Sequence, residues 1–332
     1  MLEKELEIGK KAVIKAMRIT AAVQRSLSKK DAITKADRSP VTIADFASQA
    51  VICRILKNAF PGLPIVAEEN SDVLKKPENE AILRRIHQYL ERDDDINKIV
   101  KEDNLFESID LGCGVPDDKI FWTLDPIDGT KGFLRGEQYA IALALIVKGT
   151  VQLGILGCPN LRIEGGSPDL GCLIFAVRGE GARILNIAKN EAEKIRVSSI
   201  SQPEKMRFVQ SYESAHGNLD LQLEIVRILE MDRDPVQVDS QVKYGFVSAG
   251  NAEIYLRIPN PKTPDYKEKI WDHAAGSIIV EEAGGSVSDI FGKKLDFSAG
   301  KTLRNNTGIF VSIPSVHKRI LEIIKNLGLK AR

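Results

Sequence analysis

Two carboxylates, Asp125 and Asp128, stand close together in the stretch Asp125-Pro126-Ile127-Asp128-Gly129-Thr130. The apolar run Phe121-Trp122-Thr123-Leu124 before them reads as a buried strand that ends at the first carboxylate. Pro126 and Gly129 predict a sharp turn directly after it. On such a turn both carboxylates converge, with Thr130 beside them. Oxygen donors crowded in this way suit a hard cation such as Mg²⁺, because without one they repel and shift each other's pKa. The bland alternative is an ordinary loop, for which Asp-Pro-x-Asp-Gly is a common form. Three further acids could complete a site: Glu68 at the end of a short strand over 63–67, Asp272 in the first turn of a helix, and Asp45 near the start of another. The last two could equally be first-turn charges that offset a helix dipole.

The elements that must position these acids are legible in outline. Leu6, Val13, Met17 and Ala21 fall on one face of an N-terminal helix. Ser39-Pro40-Val41-Thr42 breaks the chain, and Thr42 with Asp45 forms a capping-box-like start for a second helix. That helix runs to Ala59 and is closed by Pro61-Gly62. Residues 70–119 are polar and charge-rich, which predicts a helix over 80–92 and then a solvated, mobile flap or gate. Runs at 139–147 and 151–157 form a hairpin through Lys148-Gly149-Thr150, and 172–177 adds a strand. Beyond Ser198 strands (206–212, 235–238, 253–258, 286–289, 308–311) alternate with helices (219–230, 271–283, 315–325). The expectation is two domains: an α+β unit over 1–197 with most of the acids, and an α/β unit over 198–332 with Asp272.

Composition is that of a globular chain of 332 residues, 43% apolar and 28% charged. A net charge of +1 gives no field for a nucleic acid polymer or a membrane surface. Cys53, Cys113, Cys158 and Cys172 show no CxxC pairing and read as reduced packing residues. No signal-peptide pattern or membrane-length apolar run is present, so a cytoplasmic protein is expected. Nothing in the sequence implies an oligomer. The Gly-rich stretch Gly165 to Gly171 lacks GxGxxG spacing, which argues against a dinucleotide-binding oxidoreductase.

Three segments, Ala67-Glu68-Glu69, Trp122-Thr123-Leu124-Asp125-Pro126-Ile127-Asp128-Gly129-Thr130 and Trp271-Asp272-His273-Ala274-Ala275-Gly276, resemble the signatures of the lithium-sensitive, Mg²⁺-dependent phosphatases. That superfamily includes inositol monophosphatase, inositol polyphosphate 1-phosphatase and fructose 1,6-bisphosphatase. The resemblance covers nearly the whole chain. Longer strings are similar to one branch, the 3′(2′),5′-bisphosphate nucleotidases. These are Ser39-Pro40-Val41-Thr42-Ile43-Ala44-Asp45-Phe46-Ala47-Ser48-Gln49, Lys131 to Tyr139, Asp239-Ser240-Gln241-Val242-Lys243-Tyr244-Gly245, Ile254-Tyr255-Leu256-Arg257 and Tyr266-Lys267-Glu268-Lys269-Ile270.

The resemblance implies a two-domain inositol-monophosphatase-like fold of mixed α/β class, with alternating helix and sheet layers (αβαβα). It implies two or three Mg²⁺ ions held by Glu68, Asp125, Asp128, Asp272 and the Ile127 carbonyl, with Asp45 and Thr130 activating the attacking water. Backbone N–H groups after Gly129 would face the phosphate, and His216, Ser240, Lys243 and Arg257 would hold the rest of a small-molecule nucleotide. The implied reaction converts adenosine 3′,5′-bisphosphate to AMP and phosphate, with 3′-phosphoadenylyl sulfate as a second substrate and Li⁺ as an inhibitor. His216 lies in a segment only loosely like the family's. Ala67 replaces a frequent Gly, and the loop over 259–265 is slightly longer than usual. Standing alone, Lys243 and Arg257 would read as surface cations. An inositol polyphosphate 1-phosphatase and a non-catalytic bisphosphate sensor are the alternatives, although a sensor has no need of a water-activating pair.

Overall fold

The computed structural model describes residues 2–27, 32–35, 40–101, 104–212, 219–260, 263 and 266–329. After helix α1 (Glu3–Arg25), the short strands β1 (Ala32–Thr34) and β2 (Pro40–Thr42) pair antiparallel and lead into α2 (Ile43–Ala59). Thr42 is the N-cap of α2: its hydroxyl accepts from Ala44 N at 3.1 Å, and Asp45 Oδ2 accepts from Thr42 N at 2.8 Å. The expected capping box is therefore formed, with Asp in the place of Glu.

Seven strands follow as one sheet in chain order: β3 (Ile65–Ala67), β4 (Ile120–Asp128), β5 (Ala140–Val147), β6 (Thr150–Cys158), β7 (Cys172–Val177), β8 (Gly181–Asn186) and β9 (Glu191–Lys194). Only β3 and β4 run parallel. Strand β5 shows why the sheet is covered on both faces. Its alternate residues Ile141, Leu143 and Leu145 enter the core beneath α1 and α2. The intervening Ala140, Ala142 and Ala144 face a second core on the opposite side. Period-two alternation of large and small apolar residues thus lets one strand serve two interfaces.

The second core is shared with α8 (Val242–Ser248) and α9 (Ala274–Glu282), and α9 packs along β5 to β8. Beyond them lies a three-stranded antiparallel sheet of β12 (Ile254–Arg257), β13 (Ser286–Ser288) and β14 (Ile309–Ser312) in the order β12–β14–β13. A third core then joins that sheet to α7 (Leu219–Ile228) and α10 (Pro314–Asn326). A small parallel pair, β10 (Val209–Gln210) and β11 (Val236–Gln237), sits beside it. The layers read helix, sheet, helix, sheet, helix.

Three expectations are corrected. Residues 70–119 are not a solvated flap. They contain α3 (Glu80–Leu90), α4 (Asp94–Ile99) and α5 (Leu105–Asp110), which pack on α2. Ile82, Ile86, Leu90, Ile96, Leu105 and Ile109 belong to the first core, an apolar stripe hidden among charges. The carboxylate pair does not follow a strand on a turn. Strand β4 continues to Asp128, and Pro126, which has no N–H to give a ladder, falls where the register with β5 shifts between Asp125 and Asp128. Asp272 lies in a turn ahead of α9, whose N-cap is His273, so it is not a first-turn helix residue. The expected strand over 206–212 also shortens to Val209–Gln210.

Candidate active site

The bulge in β4 aims its carboxylates toward the C-terminal half of the chain. Asp125 folds back to accept from Ile127 N at 3.1 Å, and Ser48 on α2 donates to the Pro126 carbonyl at 3.0 Å. The turn itself comes at Gly129, with φ of +91°. A Cβ there would lie 2.9 Å from Ser240 Cβ, so a side chain is excluded twice, by conformation and by space. Helix α6 (Thr130–Leu134) starts immediately afterwards.

Glu68 and Glu69 follow β3, where Gln49 of α2 grips the backbone. Gln49 Nε2 donates to Glu69 O at 2.6 Å, and Glu69 N donates to Gln49 Oε1 at 3.1 Å. Asp128 Oδ2 accepts from Gln241 N at 2.6 Å. The Gln241 side chain then reaches the Asp272 turn, donating to Trp271 O at 2.8 Å and accepting from Gly276 N at 3.0 Å. One residue therefore joins β4, the Asp272 turn and α9.

The electrostatics record how closely the acids converge. Burial pushes the Asp125 carboxyl well above its usual range, and Glu68, Asp128 and Asp272 push it further. Asp272 is raised by burial, then by Asp128 and Glu68. Asp128 is raised to about 6 by burial, with Lys243 and the Gln241 hydrogen bonds pulling the other way. Asp45 is raised by burial and by Glu69, against the bonds from Thr42. A cation already leans on this cluster from one side: Lys35 Nζ lies 3.2 Å from Glu68 Oε1 and 2.6 Å from Glu69 Oε1. Burial opposes its charge, and Glu68 and Glu69 outweigh that, so its pKa is raised. Carboxylate oxygens that repel one another and attract a lysine form a donor set that fits a hard divalent cation.

A cleft of about 220 Å³ opens over these groups. Glu68, Asp128, Gly129, Thr130 and Asp272 line it together with Ser240, Lys243 and Arg257. Asp45 and Asp125, 1% and 2% exposed, and the Ile127 side chain are buried. His216 lies outside the described residues. Lys243 and Arg257 are not surface cations. Lys243 is 4% exposed and donates to Ser211 Oγ at 3.0 Å. Burial lowers its pKa to about 8, partly offset by Asp128. Ser240 adopts a left-handed φ of +69°. The Thr130 hydroxyl donates to the Ile127 carbonyl at 3.2 Å, whereas Asp45 Oδ2 is engaged by the Thr42 hydroxyl at 2.6 Å. Among the described residues no hydrogen bond joins Thr130 to Asp45.

Sequence reasoning missed Lys35, Gln49 and Gln241 as parts of the site. Gln49 and Gln241 sit inside the strings that carry the family resemblance, which was the available signal. Lys35 had none.

Residues 1–328 match the inositol monophosphatase family. A 3′(2′),5′-bisphosphate nucleotidase of Oryza sativa is 44% identical over 342 residues, covering 97% of this chain and 94% of that protein. One from Schizosaccharomyces pombe is 40% identical, covering 96% and 94%. In fold the chain is similar to the extragenic suppressor protein suhB of Bartonella henselae, with a TM-score of 0.69 at 20% identity over 98% of this chain and 100% of that one. It is also similar to an IMPase of Thermotoga maritima, with a TM-score of 0.66 at 21% identity over 98% of each. Sequence match and layered architecture agree: the chain belongs to the inositol monophosphatase family.

Proposed function

We propose that this protein is a 3′(2′),5′-bisphosphate nucleotidase that hydrolyses the 3′-phosphate of adenosine 3′,5′-bisphosphate, giving AMP and phosphate, with Mg²⁺ as cofactor. The observation that carries this reading is the two-ended cleft. Acids Glu68, Asp128 and Asp272 line one wall, and the cations Lys243 and Arg257 line the same cavity. A substrate with two phosphates matches that division: one meets the acids through cations, the other meets Lys243 and Arg257 directly. The relatives in rice and fission yeast carry the name of this activity.

Glu68, Asp125, Asp128, Asp272 and the Ile127 carbonyl hold the metal. When bound, Mg²⁺ supplies positive charge at the ester and lowers the pKa of water. The chain's own groups do the rest. Gln241 and Ser48 fix the spacing of the acids, and Ser240 packs against Gly129 to set the entrance to α6. The Thr130 hydroxyl, turned from the Ile127 carbonyl to Asp45, carries a proton away from the attacking water. Burial and Glu69 favour the protonated form of Asp45, which suits it to receive that proton. 3′-Phosphoadenylyl sulfate presents the same 3′-phosphate and is the expected second substrate. Competition at a Mg²⁺ position makes Li⁺ an expected inhibitor.

The test is phosphate release from adenosine 3′,5′-bisphosphate, inositol 1,4-bisphosphate, inositol 1-phosphate and fructose 1,6-bisphosphate, each with and without Li⁺, for the wild type and Asp128→Asn. The expected result is the highest kcat/KM for the adenosine compound and a loss of about 10²-fold or more in Asp128→Asn. Preference for an inositol phosphate, or full activity of Asp128→Asn at saturating Mg²⁺, would count against it.

A further inference from the structure

Glu268 has no part in the chemistry above, yet it is buried beside the cleft at 9% exposure. Its two oxygens serve different partners. Oε1 lies 2.8 Å from Arg257 Nε, and Oε2 lies 3.1 Å from His273 Nε2. The other ring nitrogen of His273, Nδ1, is 2.8 Å from the Tyr244 hydroxyl. Tyr244 can sit there because residue 276 is glycine: a Cβ at that position would come within 2.3 Å of Tyr244 Cγ. The result is a continuous chain, Tyr244–His273–Glu268–Arg257, that runs from the packing of α8 against α9 out to the cleft wall. Donor atoms of Glu268, Asp272 and His273 lie within 4.8 Å of one another, a spacing a metal could bridge. Both nitrogens of His273 and both oxygens of Glu268 are already partnered, so the group reads as a hydrogen-bonded support.

We propose that Glu268 is a positioning residue for substrate recognition. By accepting from Nε, it fixes the Arg257 guanidinium in the orientation that receives the second, non-reacting phosphate of the substrate. Tyr266 limits the guanidinium from another side, its ring centroid 5.9 Å away. A free arginine would lose its rotamer freedom on binding. Ordering it in advance moves that cost from binding to folding. The inference rests on the proposed bisphosphate reading and deepens it.

Glu268 has an opposing effect, since its charge also weakens the field that Arg257 offers an anion. Two substitutions separate the effects. Glu268→Asp keeps the charge and withdraws the acceptor by one methylene, whereas Glu268→Gln keeps an acceptor oxygen and removes the charge. The experiment measures kcat and KM for both variants on adenosine 3′,5′-bisphosphate and on adenosine 3′-phosphate, which lacks the group assigned to Arg257. Calorimetric binding of the bisphosphate is read alongside. The expected result is a KM raised about tenfold in Glu268→Asp for the bisphosphate alone, with kcat within about twofold of wild type. Glu268→Gln is expected to stay within about threefold of wild type. Equal rises for both substrates, tighter binding by Glu268→Gln with Glu268→Asp unchanged, or no change in Glu268→Asp would each overturn the proposal. Wild-type turnover tests the bisphosphate reading separately, and a wild type that neither binds nor hydrolyses the bisphosphate overturns both.

Discussion

Gln241 carries no charge, yet its contacts hold Asp128 and the Asp272 turn at a fixed separation. Its backbone N–H meets Asp128, and its side-chain amide meets Trp271 O and Gly276 N. Groups that orient ligands in this way typically matter by about 10- to 100-fold in metal affinity. Gln241→Ala keeps the backbone bond and loses both side-chain bonds. A titration of phosphate release with Mg²⁺ should show its half-saturating concentration raised about 10- to 100-fold. An unchanged Mg²⁺ requirement would remove Gln241 from the support of the site. At this scale the acids were legible because their type and spacing carry the chemistry. Gln241 was not, because its partners lie 113, 30 and 35 residues away and nothing local marks them. Lys35 was hidden for the same reason: its carboxylates are 33 and 34 residues distant. Lys243 and Arg257 looked like surface cations by type alone, and only the family strings drew them inward.

Among the elements, α2 was read to its last residue because capping chemistry at Thr42 and the Pro61-Gly62 stop are both local. Strand β4 was read short, because Pro126 suggested a turn where the fold places a bulge that only the partner strand β5 reveals. In α3 the charges masked a core stripe. Helix α10 offers a pH test. His317 stacks on Phe310 of β14, centroids 4.3 Å apart and planes 10° from parallel. Its Nδ1 is 2.8 Å from Ser312 Oγ and its Nε2 is 3.1 Å from Ser288 Oγ. Burial lowers its pKa from 6.5 to about 4. Below pH 6.5 the unfolded chain takes up a proton that the folded protein refuses until about pH 4, so stability falls as pH drops through that window. Allowing for partial exposure, the loss is about 1–2 kcal/mol. Denaturation of the wild type and His317→Gln at a series of pH values isolates this effect. The difference between them should shrink from pH 6.5 to 4, and parallel curves would contradict the assignment.

Across the whole molecule, the alternation of strands and helices beyond Ser198 gave the layered class, and the sheet of β3 to β9 with α9 beneath it fits that reading. What the alternation did not reveal is that α9 packs on the sheet built by the first half, so the acids of β4 and the Asp272 turn are held by one shared core. Among the described residues, no helix is long and apolar enough to cross a membrane. The layered core brings together residues from Lys35 to Asp272, and the function proposed for them is removal of one phosphate of two. The most direct measurement follows adenosine 3′,5′-bisphosphate by phosphorus NMR with the protein and Mg²⁺, then again after excess chelator. The account predicts loss of the 3′-phosphate signal, growth of AMP and inorganic phosphate, and arrest on chelation. Release of the 5′-phosphate, or hydrolysis that continues undiminished without divalent cations, would contradict it.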